Sequence, residues 1–152
     1  MKTRRKVLAH GAQLAGLLAT AGLVPQMAMA AWSKEAFDAK TLADAVKGLG
    51  GGAPALSKDV TLTGPDIAEN GAVVPVGAAC SLPGVKRLAI MVEKNPSALA
   101  AVFDITDAVE PNITTRVKMG QSSNVYAVAI MADGKVLFAQ KEIKVTLGGC
   151  GG

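Results

Sequence analysis

The sequence predicts an all-β sandwich behind a single helix, on three observations. Apolar residues between Ser33 and Leu49 recur at helical spacing. From Ser57 onward the spacing changes to two, the period of a half-buried strand. Turn-forming residues then divide the remaining chain into about seven short apolar segments.

The helix is expected over residues 33–49. Thr41 and Asp44 match a capping box. Leu42, Ala45, Val46 and Leu49 fall at i, i+3, i+4 and i+7, a stripe that reads as core packing. Gly48 and Gly50 to Gly52 are expected to end it. The sandwich is expected over residues 57–147. Val60 and Leu62 alternate with Thr61 and Thr63, and Pro65 to Gly71 reads as a loop. Ala72 to Cys80 is apolar enough to be buried on both faces, with Pro75 marking an edge or bulge. Leu88, Ile90 and Val92 share one face of the next strand, and Lys94-Asn95-Pro96 makes a turn. Val102 and Phe103 are core candidates on the segment from Leu99. Ile113, Thr115, Val117 and Met119 alternate with polar neighbours, and Asn124 to Met131 is a second apolar run. Asp133-Gly134 is a strong hairpin signal before Val136. The last strand carries Val136 and Phe138, then Ile143, Val145 and Leu147. The change of phase near Gln140 and Lys141 suggests a bulge or bend. Seven short antiparallel strands of this kind make an immunoglobulin-like sandwich.

Residues 1–30 read as a cleaved export signal. Lys2, Arg4, Arg5 and Lys6 precede a modestly apolar stretch from Val7 to Val24, and Ala28-Met29-Ala30 supplies a small-x-small cleavage site. Thr3-Arg4-Arg5-Lys6-Val7-Leu8 resembles a twin-arginine signal, which implies a periplasmic protein. The segment's glycines and low hydrophobicity argue against a membrane anchor, so no stable membrane association is expected. Four of the 16 Lys and Arg lie in this segment, which leaves 12 against the 12 Asp and Glu. The basic charge therefore belongs to the signal, and no nucleic-acid partner is expected.

The single histidine, His10, also lies in the signal. Without it the domain cannot build histidine-based nucleophilic, metal or haem sites. Cys80 and Cys150 cannot hold a four-ligand zinc ion unaided. Gly50-Gly51-Gly52 follows a helix and reads as a linker, not a phosphate loop. No catalytic residue, metal or cofactor is expected.

The sequence ends in Leu147-Gly148-Gly149-Cys150-Gly151-Gly152. Glycine resists settling into one conformation. Gly148, Gly149, Gly151 and Gly152 are therefore expected to form a flexible arm, residues 148–152, around an accessible thiol. The three residues from Leu147 to Cys150 span about 10 Å when extended. The reading is a presented thiol, offered to the active sites of other proteins.

Here the chain resembles the SoxY family, the sulfur-carrier subunits of the periplasmic Sox thiosulfate-oxidising system. The glycine-flanked Cys150 matches that family's carrier motif. The likeness also covers Asp66 to Val76, Val92 to Pro96 and Lys141 to Thr146. The resemblance implies that Cys150 is the site of covalent sulfur attachment, and that the protein is a carrier and not itself an enzyme. It implies a heterodimer with SoxZ. It further implies transient contacts with the cytochrome SoxXA, which loads thiosulfate, the manganese hydrolase SoxB, which releases sulfate, and in some systems the sulfane dehydrogenase SoxCD. The run Asn70 to Ala79, if apolar on both faces, would suit part of a SoxZ interface.

Two other readings remain. One is a structural sandwich module linked through an intermolecular disulfide at Cys150. The other is a carrier using a terminal Gly-Gly carboxylate, which export away from ATP disfavours. Cys80 is read as a small buried residue at a strand end. A Cys80–Cys150 disulfide would disable the carrier.

Overall fold

In a computed structural model the described residues are 33–147. The expected signal segment, Trp32 and the 148–152 arm lie outside them. Two short helices, α1 (Lys34–Asp38) and α2 (Leu42–Gly48), come first. Nine strands follow: β1 (Pro54–Leu56), β2 (Val60–Thr63), β3 (Ile67–Asn70), β4 (Val74–Cys80), β5 (Val85–Val92), β6 (Leu99–Asp104), β7 (Asn112–Val117), β8 (Ser123–Met131) and β9 (Val136–Leu147).

The expected single helix is two helices, and the capping box explains why. Thr41 is extended, at φ −119° and ψ 155°, so that its hydroxyl can accept from the Asp44 amide. A residue with that backbone starts a helix and cannot lie inside one. Ser33 caps α1 in the same way, accepting from the Ala36 amide, while its hydroxyl donates to the Gly48 carbonyl at 2.8 Å. Gly50, at φ +78°, takes the left-handed conformation that closes α2. Gly48 is the last residue of α2, as expected, and lies against α1. A Cβ there would stand 2.7 Å from the Ala36 nitrogen and 2.9 Å from its Cα. Gly48→Ala must therefore push the helices apart, and a denaturant titration should show a loss of about 1–3 kcal/mol. An unchanged midpoint would mean that α1 moves freely.

The strands form a sandwich. One sheet runs in the order β1-β9-β8-β5-β6, with β3 also paired to β9. The facing sheet is β2-β4-β7. Alternation gives the larger sheet two apolar faces. Leu88, Ile90, Val92, Val125, Ala127, Ala129 and Ile143 face the smaller sheet and meet Val74, Val76 and Val117 in the inner core. Ala89, Met91, Val128, Ile130 and Val136 face outward, where Ala36, Ala45, Val46 and Leu49 of the helical segment cover them. The helical stripe is thus core packing, as its spacing suggests. Tyr126 packs on Phe138 in the same outer layer, ring centroids 6.0 Å apart.

Two strands were not legible in the sequence, and both pair parallel with β9. β1 joins it at Val136 to Phe138, and β3 joins it at Lys144 to Leu147. β3 occupies most of the segment expected to be a loop, residues 65–71. The expected bulge near Gln140 is absent, since β9 pairs with β8 in unbroken register from Ile143 to Val136. The apparent change of phase has another cause. Val136 and Phe138 face the helix layer, whereas Leu137, Ile143 and Val145 face the inner core. The helices cover only the first part of the strand, so its outward face turns polar beyond Phe138.

β4 is buried on one face throughout and on the other only beyond Pro75, where Gly77 is buried and Ala79 half-buried. Val74, Val76, Ala78 and Cys80 enter the inner core, while Val73 is 53% exposed and Pro75 is exposed. Pro75 is tolerated because β2 pairs with β4 only from Gly77 to Cys80, which leaves an edge on that side at Pro75. Phe103 is only half-buried, because β6 is an edge strand. The Asp133-Gly134 hairpin forms as expected, with Gly134 at φ +83° and the Met131 amide donating to the Lys135 carbonyl at 2.8 Å.

Candidate functional site at the root of the thiol arm

Cys150 and its flanking Gly148, Gly149, Gly151 and Gly152 lie outside the described residues. Their nearest described neighbour is Leu147, the end of β9, and the surroundings of that strand end are well defined. On one flank, β3 pairs with it in parallel, Ala68 opposite Val145 and Asn70 opposite Leu147. The Gly71 amide donates to the Leu147 carbonyl at 2.8 Å. The Thr146 hydroxyl donates to the Glu69 carbonyl at 3.1 Å, and the Lys144 amide donates to the Asp66 carbonyl at 2.9 Å. On the other flank, beyond the end of the β8 pairing, the Val145 amide donates to the Ser122 hydroxyl at 2.9 Å. The last residues before the arm are therefore held on both sides.

These contacts extend outward. The Met119 amide donates to the Gly71 carbonyl at 2.7 Å. The Asn95 side-chain amide donates to the Lys118 carbonyl at 2.7 Å. Ser123, 1% exposed, accepts from the Lys94 amide and donates to the Asn124 carbonyl. Asn124 in turn donates to Glu93 at 2.9 Å. The three segments that carry the family resemblance, 66–76, 92–96 and 141–146, thus come together at one end of the sandwich, around the root of the arm. Their separation in sequence gave no sign of this.

One ion pair fixes the root more tightly. Lys141 lies on the inward side of β9, yet its ammonium reaches the edge of the sandwich. There it donates to the Gly64 carbonyl at 2.6 Å and pairs with Asp66 at 2.9 Å. The hydrogen bond from Lys141, and then its charge, hold the Asp66 carboxyl below the usual carboxylate range. A lowered folded-state value stabilises the fold above the unfolded value of about 3.9, and the contribution disappears as pH falls through the lower folded value. The denaturation midpoints of the parent and of Asp66→Asn should differ at neutral pH and converge in acid. A difference that persists below pH ~2 would show that the pair is not its source.

Cys80 sits opposite Val60 on the inner face of β4, 6% exposed and as a free thiol. It is packing, as the sequence suggests. Glu93 also touches the chemistry of Tyr126, whose hydroxyl is pushed up first by partial burial and then by the Glu93 charge. Among the described residues no three of His, Cys, Asp and Glu stand together as metal ligands.

Fold and site together define a β-sandwich domain whose last strand is anchored on both flanks directly ahead of a glycine-flanked thiol. The family model for the sulfur oxidation protein SoxY matches residues 46–150, a span that includes Cys150. The chain belongs to the SoxY family. Among solved structures, the sulfur carrier protein SoxY from Chlorobium limicola f thiosulfatophilum is similar to it, with a TM-score of 0.56 and 35% identity over 62% of this chain and 84% of that one. A substituted superoxide reductase (neelaredoxin) from Ignicoccus hospitalis also matches, with a TM-score of 0.50 and 18% identity over 57% of this chain and 78% of that one. The second likeness is one of fold alone. A search of curated proteins finds no match.

Proposed function

We propose that this chain is a periplasmic sulfur carrier in thiosulfate oxidation, bearing its cargo on Cys150 and working in complex with SoxZ. The observation that carries the reading is the family match running through Cys150, on a strand whose end is held from both sides. Cys150 comes three residues after a strand end held from both sides, so its thiol stays within about 10 Å of that end. The outward strip of β4, with Val73 and Pro75, supports a SoxZ interface on that face.

In the loading step the Cys150 S–H bond is lost and an S–S bond forms to the outer sulfur of thiosulfate. One proton and two electrons leave, the electrons to a cytochrome such as SoxXA. In the next step a hydrolase such as SoxB adds water across the bond between the sulfane sulfur and the sulfonate. Sulfate and two protons depart, and a persulfide anion stays on Cys150. SoxCD or another route then consumes the persulfide. The chain supplies the thiol, and its partners supply activation. The domain has no histidine to act as base.

The test is intact-mass and peptide mass spectrometry on protein from thiosulfate-grown cells, handled without reductant. Cleavage after Lys144 releases Val145 to Gly152 and separates Cys150 from Cys80. Sulfur adducts on that peptide, removed by reductant, are expected. A bare thiol, or adducts confined to Cys80, would overturn the assignment and favour the disulfide-linked structural module.

A further inference from the structure

A second feature of the arm end has no part in holding the thiol. β6 is the edge of the larger sheet and pairs only with β5, while β7 is the edge of the smaller sheet and pairs only with β4. Between these two edges runs a cleft of about 440 Å³. Its lining includes Asn95, Ala101, Arg116 and Lys118, together with Leu99 of the helix-facing core and Val117 of the inner core, both of them buried. No carboxylate lines it. Arg116 and Lys118 are exposed, and neither joins an ion pair among the described residues. A third cation, Lys40, donates to the Pro96 carbonyl at the rim.

We infer that this cleft is a docking groove for an acidic, extended segment of a partner protein. Three observations agree on that occupant. The first is the edge itself. Native edge strands are guarded by charge, proline, bulges or a covering element. β6 has one bulge, where the register shift leaves Ala100 unpaired, and a charge only at its end, Asp104, which pairs with Arg87; Ala101-Val102-Phe103 between them carry neither charge nor proline. A strand added there would satisfy free backbone groups. The second is charge. A cleft with cations and no lining carboxylate suits an acidic partner and disfavours a basic one. The third is spacing. Arg116 and Lys118 are two residues apart, about 7 Å along an extended chain. That is the separation of alternate side chains on an incoming strand. A segment with acidic residues at i and i+2 would place carboxylates at these cations.

The test uses the mature chain, labelled with nitrogen-15, and the acetylated hexapeptide EVEVEV as probe. Amide shifts should concentrate at residues 99–101 and 115–118. Binding should weaken several-fold between about 50 and 200 mM salt, as screening shortens the reach of the charges. The double variant Arg116→Glu with Lys118→Glu should lose at least about tenfold in affinity. Circular dichroism checks its fold, and Arg116→Gln with Lys118→Gln replaces it if the reversal does not fold. Four results would overturn the proposal. Shifts could centre elsewhere. The hexapeptide KVKVKV could bind equally well. Sodium sulfate could reproduce the shifts and block the peptide, marking a small-anion site. The same shifts could grow with protein concentration alone, marking self-association. The carrier reading does not depend on this groove, since adducts on Cys150 are scored separately.

Discussion

Changing Cys150 to serine should remove every sulfur adduct from the Val145–Gly152 peptide and leave the domain's stability intact. A serine hydroxyl cannot form the sulfur–sulfur bond that loading requires, so no residual level is expected. Among the described residues the two cores lie within residues 36–145. The stability change should therefore stay within about 0.5 kcal/mol. Mass spectrometry of the peptide and a denaturant titration, run on the same preparation, check both halves. Adducts that persist on the variant, at Cys80, would show that the buried thiol is the reactive one. Loss of adducts together with a large loss of stability would give Cys150 a structural part.

The second large effect falls on the strand that carries the thiol. Ile143 is fully buried, and its Cδ1 lies against Gly64, where an added Cβ would stand only 3.1 Å away. Ile143→Ala leaves a cavity between the sheets, in a region bounded by the Lys141–Asp66 pair and the β3–β9 ladder. Such truncations cost about 2–5 kcal/mol. For a domain of this size the melting temperature should fall by roughly 10 °C or more. The amides of Lys144 and Val145, held by Asp66 and Ser122, should then exchange faster than those of β5. A loss below about 1 kcal/mol would mean that β2 and β9 close over the gap. In that case the root of the arm is softer than its hydrogen bonds imply.

The sandwich was legible because most of its strands bury one face and expose the other. Val60 and Leu62, and Ile113 to Val117, announce themselves by alternation, and Leu88 to Val92 by an unbroken apolar run. β1 and β3 do not. Each lies along an edge, and their pairing with β9 is parallel, so no short turn marks it. β3 buries only Ala68, which leaves no period to read. β9 misled for a different reason. A strand covered on both faces at one end and on one face at the other looks like a slip of register when only its apolar residues are counted. The break between α1 and α2 was legible in one residue only, Thr41, whose capping role marks where α2 begins. At the site, the thiol and its glycines were plain in the sequence, since they form a contiguous motif. The gathering of Asp66, Gly71, Asn95 and Ser122 around Leu147 was not. It depends on hydrogen bonds between segments as many as 77 residues apart, such as the one from the Thr146 hydroxyl to the Glu69 carbonyl.

The parallel pairing of β3 with the last residues of β9 has a mechanical consequence. A pull applied at Leu147 along the axis of β9 runs roughly at right angles to the hydrogen bonds that hold the strand. The load is then shared as shear across the β8 and β3 ladders and is not concentrated on one bond at a time, as it would be in a hairpin peeled from its end. Tension along this strand is thus borne by the sheet as a whole, and the strand can be tugged at its end without being unzipped.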